Sequence, residues 1–356
     1  MPVNAPSSKL AICRPRGRPR VQQALLSAAI ASVCTGAVAQ SNVTISGALD
    51  AGVAYVRTKS TSQMQLATGS ISASSLVFQG TEDLGSGYGA YFLLRTLFFP
   101  DSGEVSSGRL YGSESKVGLQ GPQGKLELGR LFNPTHQALV FKSPSQSNFG
   151  GAFNMALGGY APYWNDSVRY TTPSFGGATL IVQQGFGDTG ISGNNNGKGT
   201  VVAINYDKGP LALSGVYESV DATVLPVVDY KAKRATVMGV WDFKSFKLHA
   251  GYYNETHSGR GAPAEFDVSI LGASTTIATA TRLTAEFGHK NFKGSSDQVN
   301  FIGLAAFYSL SKRTTLYSEI TLITNGGAAR QSVYRTFVPN PGENQSGYMV
   351  GLRHNF

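Results

Sequence analysis

The chain is almost without cysteine. Of its 356 residues only Cys13 and Cys34 are cysteines, so everything after residue 40 lacks disulfides, thiol nucleophiles and thiolate metal ligands. Charge is scarce too. Only 14% of residues are Asp, Glu, Lys or Arg, against 41% hydrophobic and 10% aromatic, which excludes the charged, aromatic-poor composition of a disordered chain. Long apolar runs are absent after residue 40: nothing approaches the roughly twenty residues of a membrane-crossing helix, and mean hydropathy is -0.09. Convincing helical periodicity is missing as well. The five histidines, His136, His249, His257, His289 and His354, lack metal-ligand spacing such as H-E-x-x-H, and no nucleophile and base stand out together. Neither a metal, a cofactor nor an enzymatic activity is expected.

What is present begins with an address. Lys9, Arg14, Arg16, Arg18 and Arg20 precede the apolar run "ALLSAAIASVCTGAVAQ", which ends in Ala37-Val38-Ala39. That is the pattern of a secretory signal cut before Gln40, so the expected division is a signal peptide over 1–39 and one domain over 40–356. Cleavage would remove both cysteines and five positive charges, taking the net charge from +9 to +4. Much of the basicity is then the signal's own, and nucleic acid is not an expected partner.

The rest repeats one unit: a strand of about ten residues with alternating polarity, a tight turn, a second strand and a longer polar loop. Tight turns fall at Gly85-Ser86-Gly87, Gly121 to Gly124, Pro173 to Gly176, Asp207 to Gly209, Trp241 to Phe246, Thr275 to Ala278 and Ser311 to Arg313. Longer connections fall near Thr58 to Ile71, Pro100 to Gly108, Asn133 to Tyr163, Gly187 to Gly197, Glu218 to Leu225, Thr256 to Ala264, Phe292 to Ser296 and Asn325 to Gln345. The alternation implies about sixteen antiparallel strands with both termini on the tight-turn side. In "GYMVGLRHNF" the residues Tyr348, Val350, Leu352, His354 and Phe356 share one face, as a strand facing lipid on one side requires. Closing that strand onto "NVTISGALDAGVAYV" would leave no free edge in the membrane. A soluble β-sandwich shares the alternation. The short-turn, long-loop asymmetry and the in-phase terminal Phe356 favour the membrane barrel.

Four segments carry a family resemblance: "SSLVFQGTEDLGSGYGAYF", "KVGLQGPQGKLELGR", "NDSVRYTTPSFGG" and "YSLSKRTTLY". In this order, and with the terminal Phe, they resemble the β-proteobacterial trimeric porins across the chain after the signal. The resemblance implies an all-β, 16-stranded antiparallel transmembrane barrel of the outer membrane, assembled as a homotrimer among lipid and lipopolysaccharide. It implies a third loop, here Asn133 to Tyr163, folded inward to narrow the pore, and a terminal Phe356 read by the barrel-assembly machinery after export to the periplasm. Its function would be passive diffusion of ions and small hydrophilic solutes.

The family sets wall arginines against acids on the inward loop, and selects by diameter and field. Arg130, in the Leu-Gly-Arg motif, is carried over as a wall arginine, with Arg169 as a second. Ser75, Ser113 and Gln79 stand where the family has arginine, and Arg95 stands where an acid is common. The loop from Asn133 to Tyr163 contains no Asp or Glu. It offers Lys142, His136 and the aromatics Phe141, Phe149, Phe153, Tyr160 and Tyr163 instead. With no loop acid to oppose the wall cations, the expected preference is weakly for anions. The aromatics either pack the loop against the wall or form a path for aromatic or sugar-like solutes. The second case would make the protein a substrate-specific channel on the same scaffold.

Overall fold

The computed structural model describes residues 42–149, 151–156, 160–187, 197–224, 228–334 and 337–356. The expected signal segment and the tip of the Gly-Asn-rich loop, 188–196, lie outside the described residues.

The strand segments, in chain order, are β1 (Asn42–Thr58), β2 (Ser62–Thr68), β3 (Ser75–Gly85), β4 (Tyr88–Leu97), β5 (Glu114–Gly121), β6 (Gly124–Phe132), β7 (Tyr163–Thr171), β8 (Ala178–Phe186) and β9 (Lys198–Lys208). They continue with β10 (Leu211–Val224), β11 (Val228–Asp242), β12 (Lys247–Arg260), β13 (Phe266–Ile277), β14 (Thr281–Phe292), β15 (Gln298–Ser309), β16 (Thr314–Gly326) and β17 (Gln345–Asn355). Successive strands from β3 onward pair antiparallel, and β17 returns to β1, from Ala48↔Asn355 to Thr58↔Gln345. On its other edge β1 pairs with β3 through Asn42 to Ala48 and with β2 through Ala51 to Arg57. β2 and β3 are therefore two pieces of one stave, parted by an inward excursion at residues 69–74, and the closed sheet has the expected 16 staves. Closure leaves the ladder without a free edge in the membrane.

The alternation sorts the two faces. On β1, Val43, Ile45, Leu49 and Val53 are exposed on the outside, while Asp50, Ala54 and Val56 are buried within. On β17, Tyr348, Val350, Leu352 and Phe356 look outward. β4 follows the same rule: Ala90 and Phe92 pair with Leu119 and Val117, both exposed outward, so Gly89, Tyr91, Leu93 and Arg95 face the lumen.

Three connections expected as loops are in large part ladder. β2 occupies half of Thr58 to Ile71, β10 runs on to Val224, and β12 to Arg260. A rise in polarity marks where a hairpin leaves the hydrocarbon, whereas cross-strand pairing continues in water as long as the partner does.

The connection from β6 to β7 enters the barrel and carries its own helix, α1 (Pro134–Lys142), and a 3-10 turn at Ala152–Met155. Asn133 caps α1 by accepting from the Thr135 N–H, and Pro134 occupies the first turn, where no N–H is needed. Pro144 disfavours helical backbone at Ser143, and the helix ends there. The apolar core lies between this loop and the wall: Leu139, Phe149, Phe153, Met155 and Tyr160 cluster with Met238, Tyr253, Phe266 and Phe301.

Candidate functional site: the constriction

The inward loop is fastened by wall carboxylates. Glu218 of β10 accepts from the Asn133 amide (3.0 Å) and the Thr135 hydroxyl (2.6 Å). Glu286 of β14 accepts from the Ser143 hydroxyl (3.1 Å) and from the N–H groups of Ser145 (3.2 Å) and Ala152 (2.8 Å). Glu319 of β16 accepts from Ser147 Oγ (2.6 Å) and Ser70 Oγ (3.1 Å). Cations grip the loop's carbonyls in turn: Arg282 donates to those of Pro144 and Ser145, and Lys290 to that of Met155. A loop without acids is held by a wall that supplies them.

The 69–74 excursion meets the far end of this loop. Asp50 accepts from the N–H groups of Ser70, Ile71 and Ser72 and from the Tyr317 hydroxyl. The Ser70 carbonyl then accepts from the Asn148 N–H at 2.6 Å. The loop lies along the β9 to β17 side, so the open passage is left against β3 to β8.

That passage is a cavity of about 540 Å³ between Gln137 on α1 and the inward residues Gln79, Tyr91, Leu93, Lys116, Glu127 and Arg169. A second, of about 720 Å³, opens under Phe141, Lys142, Pro144 and Gln146 toward Asp207, Asp242 and Arg282. Across four strands the wall carries alternating charges. Arg95 pairs with Glu114 (3.4 Å), Glu114 with Lys116 (2.8 Å), Lys116 with Glu127 (2.9 Å) and Glu127 with Arg169 (3.5 Å).

The expected site residues scatter around this geometry. Arg169 is buried on the wall; it donates to Gln183 Oε1 at 3.0 and 2.8 Å and to the Phe132 carbonyl. Arg95 stands at the other end of the ladder. Arg130 lies apart from it, where β6 bulges against β7. Its guanidinium donates to the Gly112 carbonyl (2.7 Å) and to Asn165 Oδ1, and lies over the Tyr163 ring. The bulge needs Gly129, whose φ is +128° and whose added Cβ would meet the Ser115 carbonyl oxygen at 2.2 Å. Ser75 opens β3, and Ser113 is fully buried just before β5. Of the loop aromatics, Phe149, Phe153 and Tyr160 are buried; Phe141 is 58% exposed. Lys142 is half-buried. Burial pulls its ammonium below the ordinary lysine range, with the Asp207 carboxylate acting the other way.

The expectation that the wall cations face no counter-charge is corrected by Glu114 and Glu127, which stand among them on the wall itself. Sequence reasoning passed over these two, Lys116, and the loop-binding Glu218, Glu286 and Glu319. An Arg169→Ala variant strips Glu127 of one of its two cations in a buried setting and frees the Phe132 carbonyl. The expected cost is about 3–5 kcal/mol, seen as a lower urea midpoint of the reconstituted barrel. An unchanged midpoint would mean that the pair contributes nothing net.

Comparisons with known proteins bear on this architecture. The model of a Gram-negative porin family matches residues 26–328. Outer membrane porin protein 32 of Delftia acidovorans is 31% identical over 356 residues, covering 94% of this chain and 100% of the relative. A major outer membrane protein P.IB of Neisseria meningitidis serogroup B is 26% identical over 371 residues, with the same coverage. The solved anion-selective porin from Comamonas acidovorans matches with a TM-score of 0.80 at 28% identity, covering 89% of this chain and all of that one. Outer-membrane expressed OmpT of Vibrio cholerae, 12% identical with a TM-score of 0.69 over 89% of this chain and 98% of that one, shares the fold.

Proposed function

The chain belongs to the Gram-negative porin family and is an outer-membrane porin for passive diffusion, and we propose that its channel is weakly anion-selective, without enzymatic activity, and built as a homotrimer. The observation that carries the selectivity is the balance of charge along the passage. Arg95, Lys116 and Arg169 exceed Glu114 and Glu127 by one, Lys125 on the passage has no carboxylate within 4 Å among the described residues, and in the cavity beneath the loop Lys142, Lys244, Lys247 and Arg282 outnumber Asp207 and Asp242. A low-dielectric wall focuses such an excess onto the lumen, raising the local anion concentration. The 28% identical structure described as an anion-selective porin supports the same sign. Export by a signal over 1–39, domain limits at 40–356, use of the terminal Phe356 by the assembly machinery and contact with lipopolysaccharide belong to the same proposal.

The test is the reversal potential of the purified, reconstituted protein under a KCl gradient. Anion-selective sign is expected; cation-selective sign, or no channel at all, would refute the reading. A substrate-specific channel is the second reading, favoured by the file of rings formed by Phe141, Phe132 and Tyr163, with centroids 6.2 and 5.2 Å apart. Its mark would be a conductance that saturates and is blocked by one class of aromatic or sugar-like solute.

A further inference from the structure

We propose that the ion preference of this channel is set by Lys142 on the inward loop and tempered by Glu127 on the wall, with Arg130 outside the selecting field. The inference rests on the anion-selective reading and names the residues behind it.

The wall ladder is nearly self-compensated. Glu114 and Glu127 each sit between two cations, at contact distances of 2.8–3.5 Å. A chain of alternating charges acts on a passing ion as a set of opposed dipoles, whose field dies away faster than that of a lone charge. Arg169 is 5% exposed and has its donors committed to Gln183, Phe132 and Glu127. Arg130 holds the Gly112 carbonyl and Asn165, so it ties the loop between β4 and β5 to the start of β7. Both arginines serve as struts.

Lys142 differs on each count. It is the one lysine or arginine between Asn133 and Tyr163, a stretch without acids. Its ammonium makes no ion pair among the described residues, and it borders the 720 Å³ cavity beneath the loop. Its place is fixed from both sides: the Lys142 carbonyl receives a hydrogen bond from His249 Nδ1 at 2.8 Å, and the next residue, Ser143, is held by Glu286. Asp242 on the same cavity is paired with Lys247 at 3.4 Å, and Asp207 opposes Lys142 across it without an ion-pair contact, so Lys142 is the loop's own fixed cation beside a paired wall. Other unpaired lysines near the turns, Lys125 and Lys244, are exposed and screened by salt within roughly 8 Å at physiological ionic strength. Glu127 has the opposite part: neutralising it leaves Lys116 with one partner and Arg169 with no carboxylate, which turns the ladder from compensated to positive.

The experiment compares reversal potentials of reconstituted wild type, Lys142→Arg, Lys142→Gln, Lys142→Glu, Glu127→Gln and Arg130→Ala under one KCl gradient. The wild type first decides the underlying reading: a channel without anion preference would remove the anion-selective proposal itself. Given an anion-selective wild type, Lys142→Arg retains the preference, Lys142→Gln weakens it and Lys142→Glu reverses the sign. Glu127→Gln strengthens anion preference, and Arg130→Ala leaves it unchanged. An anion-selective wild type whose potential is untouched by Lys142→Glu, or abolished by Arg130→Ala, overturns the assignment. Matched single-channel conductance across the set shows that each variant is folded and open.

Discussion

A Glu286→Ala channel conducts more per opening than the wild type and flickers between levels. Glu286 is the middle fastening of the inward loop, receiving three hydrogen bonds from Ser143, Ser145 and Ala152. Bonds to a charged acceptor contribute about 1.5–3 kcal/mol each, so the variant gives up several kcal/mol of loop attachment and leaves two backbone N–H groups without their partner. The barrel survives, because its strands are closed by the backbone ladder, independently of the loop. Glu319 and Arg282 still hold the neighbouring residues, so the loop swings between attached and detached states. Glu286→Gln keeps an acceptor oxygen and restores part of the quiet state. Single-channel recordings decide it: wild-type step size and noise in Glu286→Ala would show that the loop is held elsewhere.

The second large effect belongs to the seam. Gly47 lies where β1 meets both β3 and the chain end, and it exchanges backbone hydrogen bonds of 3.1 Å with Phe356 in each direction. A Cβ at this position would stand 2.4 Å from the Ser75 carbonyl oxygen and 2.5 Å from the Phe356 ring. The ring could rotate away; the carbonyl is part of the ladder and cannot. Gly47→Val therefore forces the seam open. Overpacking in a core costs about 1–3 kcal/mol, and here it falls on the closure that removes the last free edge in lipid. The expected result is loss of the compact, heat-modifiable band on gel electrophoresis and little mature protein in the outer membrane. A Gly47→Val barrel with wild-type yield and mobility would contradict this account of closure.

The fold was legible because a barrel in lipid writes itself into the sequence at period two. Each stave must be apolar on its outer face over the hydrocarbon thickness, and each tight turn needs glycine, proline or a small polar residue. The phase of β4 was not settled by alternation, because its inner face is greasy; pairing with the outward Val117 and Leu119 places Tyr91 and Arg95 inside. The strand extensions past the membrane could not be read either, because pairing in water places no constant demand on polarity. At the constriction, sequence reading found cations by likeness to a family and missed the acids that answer them. The signal was available: Glu114 and Lys116 occupy the inward phase of β5, and Glu127 that of β6, opposite Arg169 in register. Glu286 and Glu319 are harder. Their role depends on which loop residue arrives beside them, across 141 residues from Ser145 and 172 from Ser147, and no local pattern encodes that meeting.

The central claim is that ions pass through the gap between α1 and the β3 to β8 wall. Residues 40–356 contain no cysteine, so a single Gln137→Cys supplies a unique thiol facing Lys116 and Arg169 across that gap. The measurement is the current through reconstituted Gln137→Cys channels before and after a bulky, membrane-impermeant thiol reagent, with outward Val117→Cys as control. The account predicts a stepwise fall in current for Gln137→Cys and none for Val117→Cys. Full labelling of Gln137→Cys with unchanged current would show that the ions travel elsewhere.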